Sequence, residues 1–278
     1  MRKLLLVVLV MLAGCSRADS DVHTLGDRTY RVHGTGDTVV IVLHGGGGNG
    51  AQVAEQTGFD ALADREGFRA VYPDGSGRSN LLTWNAGTCC AYARDQGVDD
   101  VGFIRALIDE LDADRVFVTG FSNGAMLTYR LGCELADRIT AIAPVSGALD
   151  VPSCTPSRPL PVYVIHGDAD EVVPYAGGVS TRRPANEERA GSHPPVSFAV
   201  KTWVGVDRCS GTPTRTVSGV VTSERYDSCA PGVQVWLDTI AGGEHAWPGG
   251  AAGRRGADQP ADFDASAAIW GFFATHGG

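Results

Sequence analysis

The segment that most constrains the fold of this chain is Gly120-Phe121-Ser122-Asn123-Gly124. It follows a short apolar run at 116–118 and precedes a helix-like segment at 125–138. A serine at a sharp strand-to-helix turn needs neighbours without side chains, because only then can the strand and the helix approach closely. The pattern therefore predicts a nucleophilic serine, Ser122, at such a turn. Because the chain contains 37 glycines, a glycine-rich turn with an ordinary serine is the alternative interpretation.

A second glycine-rich segment favours the catalytic interpretation. The apolar run 39–43 is typical of a buried parallel strand, and it leads into His44, the glycines 45–48 and a helix-like segment at 51–66. Such a turn exposes backbone N–H groups, which bind the negative charge that develops on a carbonyl oxygen under attack. We expect an oxyanion hole made by Asn123, Gly45 and Gly46. A phosphate-binding loop is the alternative, but the turn lacks the sequence signatures of those loops.

A serine nucleophile needs a base, and His245 is the best placed of the seven histidines. It lies in a glycine-rich loop after the apolar run 233–240, where open α/β sheets place their functional residues. His44 and His166 each precede a glycine at a strand end, and we expect them to shape turns or to support the site by hydrogen bonding. We expect His193 and His276 to be solvated.

The third group of such a site is a carboxylate that orients the imidazole and stabilises its charged form. The apolar strand at 161–165 is followed by a loop that offers Asp168, Asp170 and Glu171. The spacing alone does not choose among them, since each is individually more often a turn residue or a helix cap. The order along the chain is serine, carboxylate, histidine, each after its own apolar strand, and this order predicts a catalytic triad.

At these residues the chain resembles the polyhydroxybutyrate depolymerase and feruloyl esterase group, which includes exported LpqC-like lipoproteins. The similarity spans about 38–249 and rests on seven motifs: LHGGGGNG (43–50), YPDG (72–75), WNAG (84–87), GVDDVGF (97–103), GFSNGAM (120–126), HGDADEVVPY (166–175) and GGEHAWPG (242–249). The resemblance implies an α/β-hydrolase with Ser122 as nucleophile, His245 as base and Asp170 as acid. From these residues we predict a two-step acyl transfer that needs no metal or organic cofactor.

The expected substrates are soluble or oligomeric esters, because the sequence contains no recognisable module for binding solid polymers. Hydroxybutyrate oligomers, feruloyl esters and acetylated xylan all suit the motifs. Trp247 is the better candidate for an apolar platform that binds the substrate, and Trp84 is a second candidate. For Trp84, a role in the core is the alternative. A peptidase of the same fold and a catalytically idle binding lipoprotein are the rival functions.

The amino terminus predicts export. A charged start at 1–3 precedes a short apolar run at 4–13, which is too short to span a bilayer, and 12–15 resembles a bacterial lipobox. We expect cleavage of the segment 1–14, a lipid on Cys15 as the only membrane anchor, and a tether over 15–27 before the catalytic domain at 28–278. A plain signal peptide is the alternative. The formal net charge of -9 argues against nucleic acid or an anionic membrane surface as a partner.

The six other cysteines are an even number, which in an exported protein favours disulfides. A metal site is the alternative, but no C-x-x-C pair is present. The helix after Ser122 and the strand at 161–165 meet at the end of the sheet opposite the active site, which brings Cys133 near Cys154. Cys209 and Cys229 flank a hairpin-like segment at 214–226. Cys89 and Cys90 remain, as a candidate vicinal disulfide.

The alternation of strands and helices predicts one α/β domain with a mostly parallel sheet and helices on both faces. An edge strand is expected at 30–33, and further strands are centred on Ile41, Val71, Phe117, Ile142, Val164 and Val235. Helices are expected at 51–66, 98–112, 123–138, 196–204 and 263–275. The segment 177–195 is expected to be an exposed loop, which either borders the substrate cleft or is a surface insertion. The oligomeric state stays open.

Overall fold

The computed structural model describes residues 21–182, 192–251 and 262–277. These residues form twelve strands: β1 (Asp21–Leu25), β2 (Arg28–Gly34), β3 (Thr38–Leu43), β4 (Arg69–Pro73), β5 (Ser76–Arg78), β6 (Leu81–Thr83), β7 (Arg115–Phe121), β8 (Ala141–Val145), β9 (Val162–Gly167), β10 (Thr214–Ser218), β11 (Val221–Tyr226) and β12 (Val235–Ile240). They also form seven helices: α1 (Gly50–Thr57), α2 (Phe59–Glu66), α3 (Ala91–Asp95), α4 (Asp100–Leu111), α5 (Asn123–Glu134), α6 (Val196–Val206) and α7 (Ala265–Thr275).

Ten strands build one sheet in the order β1-β2-β4-β3-β7-β8-β9-β12-β11-β10. The six central strands, from β4 to β12, pair in parallel, whereas antiparallel pairing extends the sheet at both edges. The short strands β5 and β6 form a separate hairpin, which touches the glycine turn after β3 through a bridge between Gly48 and Leu82. The mostly parallel sheet confirms the predicted fold class.

Strand β3 shows why helices cover both faces of the sheet. Val39, Ile41 and Leu43 point into one hydrophobic core, which α4, α5 and α6 complete. Val40 and Val42 point into a second core on the opposite face, which α1, α2 and α7 complete. All five side chains are fully buried. A strand that is buried on both faces is apolar at every position, which explains the uninterrupted run in the sequence.

Two differences from prediction lie near the start of the chain. The helix expected over 51–66 is two helices, because Gly58 adopts a φ of 67° and its N–H closes α1 on the carbonyl of Ala54 at 3.0 Å. The strand expected at the edge is β2, but β1 pairs with it on the outside. The predicted tether over 15–27 is therefore wrong at 21–25, where the chain forms β1.

The structure pairs all six predicted disulfide cysteines. Cys133, in the last turn of α5, is bonded to Cys154 in the connection to β9. The bond between Cys209 and Cys229 encloses the hairpin of β10 and β11. Cys89 is bonded to Cys90 in the loop between β6 and α3. Disulfides at this density are typical of proteins that fold in an oxidising compartment.

Across the described parts of the chain, no helix has the length and apolar character needed to cross a bilayer. The predicted signal segment 1–14 and the predicted lipid acceptor Cys15 lie outside the described residues, as does the middle of the loop predicted at 177–195.

Candidate active site

Ser122 lies between β7 and α5 with a φ of 56° and a ψ of -118°, a conformation that costs free energy for any residue with a side chain. The neighbouring glycines make the turn possible. A Cβ on Gly124 would lie 2.6 Å from the carbonyl oxygen of His44, and one on Gly120 would lie 2.7 Å from the backbone of Gly124. Strand β3, the turn and α5 therefore pack backbone against backbone, and the serine hydroxyl is left at the carboxyl edge of the sheet.

The structure brings Ser122, His245 and Asp170 together, although 123 residues separate the first two and 75 separate the last two. The distance from Ser122 Oγ to His245 Nε2 is 2.9 Å, and that from His245 Nδ1 to Asp170 Oδ2 is 2.8 Å. Because an ionised carboxylate only accepts hydrogen bonds, Nδ1 carries the hydrogen and Nε2 is free to accept one from the serine hydroxyl. This is the geometry of a serine nucleophile with its base and acid.

Asp170 is held ionised by its surroundings. Its carboxylate is buried, with Oδ1 accepting from the N–H groups of Val172 and Val173 at 2.8 Å each. Burial alone would raise the pKa of Asp170, but the hydrogen bonds from His166 and His245 outweigh it and hold that pKa well below its ordinary value. A negative charge is therefore present beside His245 at neutral pH.

The other two acidic residues of this loop, Asp168 and Glu171, make contacts away from His245. Asp168 Oδ1 accepts a hydrogen bond from the N–H of Gly242 at 2.7 Å, and Glu171 is exposed, with an ion pair to Arg182 at 3.6 Å. Of the three carboxylates that the spacing left open, the structure places Asp170 alone against His245.

The glycine turn after β3 lies against the serine. Cβ atoms built on Gly45 and Gly46 would lie 3.5 Å from Ser122 Cβ and 3.6 Å from Asn123 Cβ, respectively. The next amide along the turn, that of Gly47, donates to the carbonyl of Leu82 at 2.7 Å. The backbone of Gly45 and Gly46 thus lies beside Ser122 and beside Asn123, which follows the serine at the start of α5.

Buried hydrogen bonds fix this turn. His44 Nδ1 donates to the carbonyl of Gly45 at 2.8 Å, and its Nε2 accepts from the N–H of Gly75 at 2.9 Å. Burial lowers the pKa of His44 to about 4, so the ring is neutral at neutral pH and can fill both roles. The prediction that His44 supports the site by hydrogen bonding agrees with this geometry.

The two tryptophans that the sequence proposed as a substrate platform are fully buried, and that prediction is wrong. The Trp247 ring packs edge-on against Phe59, and its Nε1 donates to Ser266 Oγ at 3.0 Å. Trp84 Nε1 donates to the carbonyl of His44 at 2.9 Å. Both rings face a core, because proximity to His245 along the chain does not determine which side of the loop a side chain takes.

Trp84 instead contributes to the site through its backbone. The Asn123 side chain accepts from the Trp84 N–H at 2.8 Å and donates to its carbonyl at 3.0 Å. This pair ties the start of α5 to the loop that carries Cys89 and Cys90. Asn123, the residue after Ser122, therefore fixes the neighbouring loop with its side chain.

Two polar contacts of Ser146 and His193 were not expected from the sequence. Ser146, directly after β8, donates from Oγ to the carbonyl of Ala246 at 3.1 Å and so supports the loop of His245. His193, expected to be solvated, is buried and lies 3.0 Å from the Asp150 carboxylate through Nδ1. The position of Ser146 at a strand end was a usable signal for its role. Nothing in the sequence pairs His193 with Asp150, because they meet only through folding of two loops.

Comparison with known proteins identifies relatives of this chain. The model of the Phospholipase/Carboxylesterase family matches residues 94–186. NocK of Nocardia uniformis subsp. tsuyamanensis, which is named as an esterase, is 34% identical over 254 residues, covering 80% of this chain and 71% of NocK. Feruloyl esterase B of Piromyces equi is 35% identical over 207 residues, covering 69% of this chain but 36% of that protein. This chain thus spans about a third of the feruloyl esterase that it matches.

Among solved structures, an acetyl xylan esterase from Aspergillus awamori superposes with a TM-score of 0.55 at 16% identity, covering 79% of this chain and 89% of that one. An identity this low shows the shared fold alone. The assignment to a family rests on the two long sequence matches. Together with the family model and the fold, these matches make this protein a serine carboxylic ester hydrolase. The chain belongs to the family of α/β-hydrolase esterases that contains NocK and the feruloyl esterases.

Proposed function

We propose that the protein hydrolyses carboxylic esters by acyl transfer to Ser122, with His245 as general base and Asp170 as the acid. The observation that carries the proposal is the unbroken series of hydrogen bonds from Ser122 Oγ through the imidazole to Asp170 Oδ2, at 2.9 and 2.8 Å. His245 takes the hydroxyl proton while Oγ attacks the ester carbonyl carbon. Asp170 stabilises the imidazolium that results and keeps the ring in its reactive tautomer.

The negative charge on the carbonyl oxygen is stabilised by backbone amides. We assign this role to the amide of Asn123 and to one of the amides of Gly45 and Gly46, since Gly45 lies beside Ser122 and Gly46 beside Asn123. The Asn123 amide lies at the start of α5, where the helix dipole also favours negative charge. Removing one such donor costs roughly 2.7–4 kcal/mol of transition-state stabilisation in serine hydrolases. His245 then protonates the leaving alcohol, and water attacks the acyl-enzyme through the same base.

The substrate class that we propose is the feruloyl ester of a polysaccharide fragment. The sequence match to feruloyl esterase B supports this choice. Acetylated xylan and hydroxybutyrate oligomers are the rival esters, since the triad acts on any of the three.

A panel of three substrates tests this choice: a feruloylated arabinoxylan oligosaccharide, acetylated xylan and a hydroxybutyrate trimer. We expect the highest kcat/KM on the feruloyl ester and no hydrolysis above background by Ser122→Ala, which serves as the control. A higher kcat/KM on the hydroxybutyrate trimer would indicate that the natural substrate is a polyester. Absence of hydrolysis of all three and of short p-nitrophenyl esters would favour an idle binding protein.

We further propose that the mature protein is exported and held at the cell envelope by a lipid on Cys15. The lipobox-like segment 12–15 and the three disulfides support this proposal. Expression of the full chain in a bacterium, followed by fractionation, tests it. We expect the wild type in the membrane fraction and Cys15→Ala outside it. Equal distribution of both forms would contradict lipidation at this residue.

A further inference from the structure

His166 is a second histidine at the Asp170 carboxylate. It is the penultimate residue of β9, is 1% exposed, and lies with its Nε2 3.3 Å from Asp170 Oδ2. The same Nε2 lies 2.9 Å from the carbonyl oxygen of Val173. His166 exchanges no proton in the proposed hydrolysis, yet Asp170 Oδ2 lies within 3.3 Å of its ring and 2.8 Å of the His245 ring.

The hydrogen bonds fix the state of the His166 ring. A carbonyl oxygen only accepts, so Nε2 carries a hydrogen and shares it between Val173 and Asp170. The other nitrogen, Nδ1, is buried and has no hydrogen-bond partner among the described residues. A second hydrogen on Nδ1 would bury an unsatisfied donor, which is unfavourable. His166 therefore acts on Asp170 as a hydrogen-bond donor through Nε2.

The ring is held from the side as well. Tyr175 packs edge-on against it, with ring centroids 5.8 Å apart, and the Tyr175 hydroxyl lies 2.9 Å from Thr239 Oγ1 in β12. Strand β12 leads into the loop that carries His245. The position of His166 is thus set by the same strand that positions the base, and its N–H approaches Oδ2 from a fixed direction.

The loop from Asp170 to Val173 closes on itself through this histidine. The Val173 N–H donates to Asp170 Oδ1 at 2.8 Å, while the Val173 carbonyl accepts from His166. Loss of the imidazole would leave Oδ2 with His245 Nδ1 as its donor and would remove the donor of the Val173 carbonyl. The carboxylate could then rotate or shift by a fraction of an ångström, and misplacement on that scale weakens catalysis strongly.

We propose that His166 is a positioning residue, which fixes the Asp170 carboxylate so that Oδ2 meets His245 Nδ1 throughout the reaction. The proposal rests on the proposed function, because it requires Asp170 to act as the acid of a Ser122 triad. It extends that function from three residues to four.

The test compares His166→Leu, which removes the donor, with His166→Gln, whose side-chain amide N–H can approach the place of Nε2. His276→Gln, at the end of α7 and outside the site, is the control for replacing a partly buried histidine. Circular dichroism and intact mass with three disulfides verify the fold of each variant. We expect His166→Leu to lower kcat on p-nitrophenyl acetate by about 10- to 100-fold, the effect of losing one hydrogen bond to a charged group, with KM within about twofold.

Two further readouts separate positioning from stability. The downfield proton resonance of the His245–Asp170 hydrogen bond should shift or broaden in His166→Leu, and His166→Gln should recover most of kcat. A folded His166→Leu with kcat within about twofold of the wild type would overturn the proposal, as would a loss confined to KM. If His166→Leu does not fold, His166→Gln is compared with His166→Asn, which is too short to reach Oδ2, and equal kcat values would overturn it.

A fluorophosphonate probe distinguishes this failure from failure of the proposed function. If the wild type is labelled at Ser122 and His166→Leu is labelled at the same rate, the role of His166 is wrong while the triad stands. If the wild type is not labelled at Ser122, the proposed function itself is wrong.

Discussion

Asp168 Oδ1 accepts a hydrogen bond from the N–H of Gly242 at 2.7 Å, and this contact joins the loop after β9 to the loop after β12. The N–H of Ala169 donates to the carbonyl of Gly243 at 3.0 Å on the same seam. A Cβ on Gly243 would already lie 3.0 Å from the backbone of Gly167. The loops that carry the proposed acid and base thus form one unit, in which Asp168 is structural and Asp170 faces the histidine.

Because Asp168 is structural and Asp170 faces the histidine, we expect Asp170→Asn to lose activity and Asp168→Asn to keep it. Asp170→Asn places an amide beside His245 that can donate to Nδ1 and reverse the tautomer, and the same change in serine proteases lowers kcat by about 10⁴-fold. Asp168→Asn keeps an oxygen that accepts from Gly242, so its kcat should stay within a few-fold of the wild type. Steady-state kinetics on p-nitrophenyl acetate decides between them. If Asp168→Asn lost more kcat than Asp170→Asn, Asp170 would not be the acid.

The close approach of β3 and α5 predicts that Gly124→Ala is damaging. The added methyl would lie 2.6 Å from the carbonyl oxygen of His44, and overpacking of this kind typically costs 1–3 kcal/mol, that is, roughly 2 kcal/mol here. Displacement of α5 would also move the Asn123 amide and lower kcat. Gly271→Ala in α7 is the matched control, because a Cβ there meets nothing within 4 Å.

Urea unfolding and p-nitrophenyl acetate hydrolysis measure the two effects. Gly271→Ala should be neutral or stabilising by up to about 1 kcal/mol, since alanine is the better helix former. Equal stability and equal activity for the two variants would contradict the packing at the turn.

Asp207 predicts a pH-dependent stability that is separate from catalysis. It is fully buried, its Oδ1 accepts from the N–H of Leu160 at 2.8 Å, and burial raises its pKa from 3.8 to about 7. Between these values the unfolded chain loses the proton while the folded protein keeps it. The free energy of unfolding therefore falls as the pH rises from about 4 to about 7, by on the order of 4 kcal/mol in total.

Asp207→Asn is neutral in both states and should lack this part of the pH dependence. Urea unfolding at several pH values between 4.5 and 7.5 measures the difference between the two proteins. We expect the variant to gain stability relative to the wild type as the pH rises. Parallel curves across this range would mean that Asp207 does not keep its proton in the folded protein.

The disulfide between Cys209 and Cys229 predicts a stability contribution without a catalytic one. It closes a segment of 20 residues, and in the chain-entropy model such a cross-link stabilises by roughly 3 kcal/mol. Replacing both cysteines by serine should lower the free energy of unfolding by about that amount and leave kcat at 25 °C unchanged. Thermal and urea unfolding measure the loss, and a kcat that falls in a fully folded variant would place the hairpin in the catalytic cycle.

Much of the fold could be predicted because local and global signals agree. The run at 39–43 is buried on both faces and reads as a parallel strand from composition alone. The break at Gly58 was missed because a helical pattern continues on both sides of it. Strand β1 is mostly exposed and polar, so it carries no hydrophobic signal, and pairing with β2 alone defines it.

Some residues of the candidate site could likewise be predicted from the sequence, and others could not. Ser122 and His245 follow strands and lie in distinctive turns, which made them identifiable from the sequence. Trp247 was misassigned because the direction of its side chain depends on the packing of α1 and α7, which no local pattern encodes. The contact of His193 with Asp150 likewise depends on two loops whose course the sequence does not specify.

Peptide mapping after reaction with a fluorophosphonate probe tests whether Ser122 is the nucleophile. We expect a single modification on the peptide that contains Ser122 and none in Ser122→Ala. Labelling of His245→Ala should be much slower, because the base that activates the hydroxyl is gone. A modification on another residue, or a wild-type protein that stays unlabelled, would contradict the assignment of Ser122 as the nucleophile.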